Sequence, residues 1–140
     1  MDTYDSNNIF AEILRGEVPV HKVYEDGATL AFMDTTPRTD GHVLVIPKVR
    51  ARNILDVAPD ILADLMIKTQ RIAVAIKTAL KADGLSIQQY SESAGGQTVF
   101  HLHIHILPRY RGVPLRSPAE IMPGNSLLAA QAESIRKALA

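Results

Sequence analysis

The chain has 140 residues, 46% of them hydrophobic, which suits one domain with a core of its own. Fifteen basic and fifteen acidic residues cancel, which excludes a broad nucleic-acid or anionic-membrane surface and leaves room only for a local anion site. The absence of cysteine excludes disulfides and thiolate metal ligands and fits a reducing cytoplasm. With no leader-like start and no apolar run near the roughly 20 residues that span a bilayer, the sequence reads as soluble and cytoplasmic.

Residues 1–5 read as a loose end. Ser6 or Asn7 is placed to cap a short helix over residues 9–15, and Gly16 suits the left-handed residue that stops it. Its apolar stripe, Ile9, Phe10, Ile13 and Leu14, has the spacing of a core face. Residues 21–25 and 28–33 read as strands joined by a two-residue Asp26-Gly27 hairpin turn. His21, at a strand edge, is assigned no role. Asp34 then caps a turn into Thr35-Thr36-Pro37. Residues 41–48 form a strand apolar on both faces after His42, hence central and buried, ended by Pro47. On the sequence alone His42 is as readily an ordinary histidine after a glycine turn as a functional one.

Residues 49–57 predict a short helix or an irregular turn. From Pro59 to Ala82 the period is helical, with Pro59 in the first turn and Gly84 at the stop. Ile61, Leu62, Leu65, Ile72, Ile76 and Leu80 make one broad packing stripe. Residues 85–90 predict a fourth strand. After Arg109, residues 110–124 read as an extended arm, and a helix from Asn125 or Ser126 carries a narrow stripe that must dock on its own domain or on a second subunit.

Between these segments lies Gly95-Gly96-Gln97-Thr98-Val99-Phe100-His101-Leu102-His103-Ile104-His105-Ile106-Leu107. His101, His103 and His105 alternate with aliphatic residues at the two-residue period of a strand, so the imidazoles share one face, about 6.5–7 Å apart. Single histidines on apolar strands are ordinary. Three in register on a buried face cost solvation or repulsion without a packing gain, which points to a small anion or a metal as their reason for being there.

With these residues in view the chain resembles the histidine triad (HIT) superfamily of nucleotide hydrolases and transferases, in its Hint-like bacterial branch, over about residues 8–110. Uridylyltransferase relatives carry Gln at the third position, so His105 implies a hydrolase. The resemblance implies an α+β fold: about five antiparallel strands with a long helix on one face, a short N-terminal helix and a C-terminal helical arm. It divides the chain into a domain over residues 1–110 and an arm and helix over 111–140. It implies a substrate, a purine nucleotide or nucleoside phosphoramidate; no cofactor; no nucleic acid or membrane partner; and a homodimer joining two sheets edge to edge. Ile9, Phe10, Ile13, Phe32, Thr35 and Leu44 would wall the nucleobase pocket, and Asp34 would bind ribose hydroxyls. His103 would be the nucleophile, with His101, His105, His42 and Thr98 assisting, and Gly96, Gln97 and Thr98 offering donors to phosphate. Two departures stand out. Asn8 and Ala11 occupy the positions of a metal-binding Cys-x-x-Cys in many relatives, which implies loss of that structural zinc. No Asn lies in residues 90–93, where Ser91 offers one hydrogen bond in place of an amide.

Two other readings of the histidines stand beside this one. Three imidazoles are a zinc set, and a nucleotide-binding module without turnover would keep the same pocket.

Overall fold

The computed structural model describes residues 4–117 and 122–140. In chain order the elements are α1 (Ile9–Leu14), β1 (Lys22–Glu25), β2 (Thr29–Met33), β3 (Val43–Pro47), α2 (Pro59–Ala79), β4 (Gly84–Gln88), β5 (Ile104–Arg109) and α3 (Asn125–Leu139). The strands form one antiparallel sheet in the order β1-β2-β3-β5-β4. The continuous apolar run of β3 therefore sits in the middle, as a strand buried on both faces requires.

The two-residue period of β2, β3 and β5 sorts side chains into two cores. Ala31, Met33, Val43, Val45, Ile104 and Ile106 face α2 and α3 and pack with Leu65, Ile72, Ile76, Leu128 and Ile135. Leu30, Phe32, Leu44 and Ile46 face the other way, toward Phe10 and Ile13 of α1. Fully burying a side chain of this size contributes about 1.5–3 kcal/mol, so the helix side carries most of the stability and the α1 side is free to hold a site. The C-terminal helix docks on its own chain, because Leu128, Ala132 and Ile135 are buried in the same cluster as α2. Among the described residues no helix is long and apolar enough to cross a membrane.

Several local expectations are corrected. Asn8, rather than Ser6 or Asn7, caps α1, its Oδ1 accepting from Ala11 N at 2.9 Å. Gly16 does take the left-handed position, at φ +79°. Asp26-Gly27 is not a primed two-residue turn: Gly27 has no positive φ, and Asp26 Oδ1 instead accepts from the amides of Ala28 and Thr29, an Asx turn over a longer connection. Residue Lys81 (φ +53°), not Gly84, takes the left-handed step after α2, and Gly84 already opens β4 opposite Arg109. Residues 52–56 form turns closed by the Asp56 carboxylate. Of the expected loose N-terminus and extended arm, residues 1–3 and 118–121 lie outside the described residues. Tyr4 and Asp5 are tied down, and residues 114–117 run without regular structure beside the turn before β3.

Gly41 aims His42 into the sheet. It has φ +86°, and an added Cβ would lie 1.9 Å from Leu80 Cδ1. Gly41→Ala is expected to cost about 1–3 kcal/mol in urea unfolding; an unchanged midpoint would show that Leu80 gives way freely.

Candidate active site

The site face of the sheet is a row of register partners. Phe32 pairs with Leu44, Leu44 with His105, and His105 with Gln88. Only His105 lies within β5; His101, at a bend, and His103 precede it outside regular structure, where Leu102 N donates to Ala51 O at 2.8 Å. The expected continuous histidine strand is thus shorter at its start, but the alternation survives: Leu102, Ile104 and Ile106 fill the helix-side core. His103 and His105 stand with ring centroids 4.8 Å apart, and the Phe10 and His103 centroids lie 4.9 Å apart in an edge-to-face arrangement.

The hydrogen bonds fix where each imidazole proton sits. His103 Nδ1 lies 2.7 Å from His101 O. A carbonyl only accepts, so Nδ1 carries the proton and Nε2 keeps its lone pair. At the other end Arg38 N donates to His42 Nδ1 at 3.1 Å, so the His42 proton is on Nε2, 3.0 Å from His105 Nδ1. His105 must then carry its own proton on Nε2, the buried side-chain polar atom that has no partner among the described residues. An orphan donor of this kind costs about 1–3 kcal/mol. Asp34 Oδ2 stands 3.5 Å from His42 Nε2, while its Oδ1 accepts from the amide and hydroxyl of Thr36.

Burial pushes all four of these histidines below the ordinary imidazole value. For His105, burial acts first and the neighbouring His103, His42 and Arg38 add to it, to about 3. For His103, the bond to His101 O and the charge of Asp34 partly oppose the burial. Neutral rings at physiological pH follow, and a neutral ring is what a nitrogen nucleophile needs.

Two cavities meet at this cluster. One, of about 320 Å³, is walled by Ile9, Phe10, Ile13, Phe32 and Leu44, with Thr35 at its mouth, so it gathers every residue expected around a base. Val18, Pro19, Val20, Met33 and Val99, which the sequence did not single out for the site, complete its apolar lining. The other, of about 420 Å³, is lined by Arg38, His42, Gln88, Tyr90, Gly96 and Leu107. Asp34, Thr36, Thr98, His103 and His105 border both.

Four expected site residues are placed otherwise. His101 lines neither cavity: its Nε2 is bonded to Pro47 O at 2.9 Å and its Nδ1 to the Tyr4 hydroxyl at 2.5 Å, so its ring has nothing left for a substrate oxygen. Its contribution is the main-chain carbonyl beneath His103. Ser91 also lines neither cavity and bonds Gln89. Gln97 is buried as a brace, its amide donating to Arg52 O and Val99 O and its oxygen accepting from Asn53 and from Glu92 N. The amides of Gly95, Gly96 and Gln97 are spent on Ser93 and Glu92 carbonyls within their own loop, so Gly96 shapes the wall but its N–H does not point at a phosphate. Thr98 differs, with an exposed side chain and no protein hydrogen bond among the described residues.

This loop is held by a strained residue. Glu92 has φ +66° and ψ 164°, a region that glycine alone enters readily. Its carboxylate is gripped by Arg52 Nε at 2.8 Å, by Arg52 Nη2 at 3.1 Å and by Asn53 Nδ2 at 2.6 Å. Arg52 in turn stacks on Phe100, 4.2 Å from its ring centre. The sequence offered no sign of this clamp, because its partners lie about 40 residues apart.

Residues 15–112 match the HIT domain. The chain belongs to the HIT family. A HIT-like protein of Mycobacterium tuberculosis is 42% identical over 104 residues, covering 74% of this chain and 72% of its own length. The adenylylsulfatase HINT3 of Arabidopsis thaliana is 37% identical over 107 residues, 76% of this chain and 54% of that protein. Among solved structures, a HIT-like protein of Bartonella henselae with an unknown ligand superposes at a TM-score of 0.94 with 44% identity, covering 98% of this chain and 99% of that one. A zinc-bound histidine triad protein of Mycobacterium smegmatis superposes at 0.84, with 35% identity, 95% of this chain and 93% of that one. These matches show the expected α+β HIT fold, and with it a nucleotide-binding and hydrolase superfamily.

The residues at the positions that the resemblance gives to a metal-binding cysteine pair do not make a zinc set. At the positions of the expected cysteine pair, Asn8 Oδ1 is spent capping α1 and Ala11 has no donor, while Tyr4 Oη accepts from Asn8 Nδ2 at 3.0 Å and bonds His101. A converging set of another kind, Asp34, His42 and His105, lies within 4.8 Å, but a cation there would have to displace the proton that His42 and His105 share.

Proposed function

We propose that this HIT protein hydrolyses nucleotidyl conjugates, cleaving a P–N or P–O bond at the α-phosphate of a purine nucleotide through a covalent nucleotidyl-His103 intermediate. The observation that carries this reading is the 2.7 Å contact from His103 Nδ1 to His101 O, which leaves a lone pair on Nε2 at the junction of the two cavities. The base occupies the apolar cavity, with Asp34 facing the ribose. The His103 Nε2–P bond forms as the bond to the leaving group breaks. Water then attacks phosphorus, the P–N bond breaks with its electron pair returning to Nε2, and the nucleoside monophosphate leaves.

The proton on His105 Nε2 has no protein acceptor, which suits a non-bridging phosphate oxygen where negative charge develops. Thr98, bordering both cavities, offers a hydroxyl to a departing amine. The name of the Arabidopsis relative, an adenylylsulfatase, supports an AMP conjugate as substrate. The functional unit is proposed to be a homodimer paired across β4, the outer strand beyond β5, where Ile87 is exposed.

Rapid quenching of turnover with an AMP conjugate, followed by mass analysis of the peptide containing His103, is expected to give a nucleotidyl adduct, with turnover unaffected by exhaustive chelation. AMP binding without adduct or turnover would identify a binding module instead. Activity lost on chelation and restored by zinc would favour the metal reading.

A further inference from the structure

The second cavity differs from the first in one respect that bears on substrate choice: it contains a cation with no ion-pair partner among the described residues, Asp34 on the same wall being engaged with Thr36 and His42. Arg38 lines it together with His103 and His105. Its Nε donates to Arg116 O at 3.0 Å, but among the described residues neither terminal nitrogen has a protein partner and no carboxylate pairs with it. Asp40, two residues on in the chain, is taken by Arg116 Nη2 at 2.9 Å. The chain thus holds a half-buried guanidinium beside the reacting centre, with Asp40 engaged by Arg116.

The arm beyond the matched HIT domain fixes this arrangement. Arg116 N donates to Arg38 O at 2.7 Å while Arg116 O accepts from Arg38 Nε, so the main chain of residue 116 holds both the backbone and the side chain of Arg38. Across the cavity, Tyr90 donates its hydroxyl proton to Gln88 Oε1, which leaves the Gln88 amide nitrogen as a donor. The wall therefore offers a cation and neutral donors, with Asp34 at the border shared with the base cavity.

We propose that the second cavity is a leaving-group site for a tetrahedral oxyanion, in which Arg38, held by Arg116, receives the sulfate or phosphate of a nucleotidyl conjugate as it departs from the α-phosphorus. The inference rests on the hydrolase reading and specifies its substrate class. An amine must gain a proton to leave, whereas sulfate or phosphate departs with its electron pair and needs positive charge nearby. In this step the Nε2–P bond forms, the P–O bond to the leaving group breaks, and the leaving oxygen keeps the pair. Water later supplies the oxygen of the monophosphate and loses its proton to solvent.

The test compares kcat/KM for adenosine 5′-phosphosulfate, diadenosine tetraphosphate and adenosine 5′-phosphoramidate in the wild type, R38Q, R38K and R116A. Charge-assisted hydrogen bonds of this kind are worth about 10–100-fold. R38Q is expected to lower the ratio of anionic to amine substrate by that factor, with partial recovery in R38K and a smaller drop in R116A, which leaves the main-chain hold intact but frees Asp40 to compete for Arg38. The two anionic substrates distinguish sulfate from phosphate as the preferred source. Equal losses on all three substrates would overturn the proposal and move Arg38 to the α-phosphate. If the wild type turns over none of them, the hydrolase reading has failed, and pyrophosphate titration of the AMP-loaded protein decides the inference alone. Affinity for pyrophosphate falling at least tenfold more than that for AMP in R38Q supports it; equal affinities in R38Q and wild type overturn it.

Discussion

His103→Asn is expected to lower single-turnover cleavage of an AMP conjugate by on the order of 10⁴-fold or more, while AMP binding measured by calorimetry changes little. Removing the atom that bonds phosphorus eliminates the covalent route, and little remains but positioning by the rest of the site. Binding survives because the base cavity is built from α1, β2 and β3. Asn also keeps an amide that can donate to the carbonyl of His101, so the local main chain loses no partner. Cleavage within tenfold of wild type would remove His103 as the nucleophile.

Acidification from pH 7 to 4 is expected to destabilise the fold by several kcal/mol in urea unfolding. An unfolded imidazole titrates near 6.5, whereas burial holds His42, His101, His103 and His105 lower in the folded chain, His105 at about 3. Between those values the unfolded chain binds more protons, so stability rises with pH there. The contribution is complete above about pH 6.5 and is lost as pH falls toward the folded values. One unit of displacement corresponds to about 1.4 kcal/mol, so four displaced rings amount to a large share of a typical domain's stability. His105→Gln should flatten part of the slope between pH 6.5 and 4. The acid limb of kcat/KM should also lie below pH 6.5, since His103 must be neutral to attack. A stability that stays flat from pH 7 to 5 would contradict these placements.

The central place of β3 and the two-faced sheet were legible because they follow from periodicity: β3 is apolar on both faces, and β5 alternates imidazole with aliphatic side chains. The base cavity was legible only through family likeness, since Ile9, Phe10 and Ile13 have the same spacing as a core stripe. Long-range hydrogen bonding was not legible. Gln97 looked like a phosphate donor until its amide was seen closing on Arg52 and Val99, and Ser91 until it was seen bonding Gln89. His101 shared the period of its neighbours, yet Tyr4, 97 residues away, takes its ring. Arg38 was missed although a local signal existed, a cation four residues before His42 in the same turn. Only the distant Arg116 explains why its charge is left open.

The proton positions at the two ends of the imidazole network are set by peptide groups, the carbonyl of His101 and the amide of Arg38. Short of proline at residue 38, no side-chain replacement at either residue removes those groups. The reactive lone pair is therefore inherited with the backbone, whereas the guanidinium four residues from His42 can be exchanged by a single codon change. Descendants of such a chain can drift from one class of conjugate to another while their chemistry stays constant.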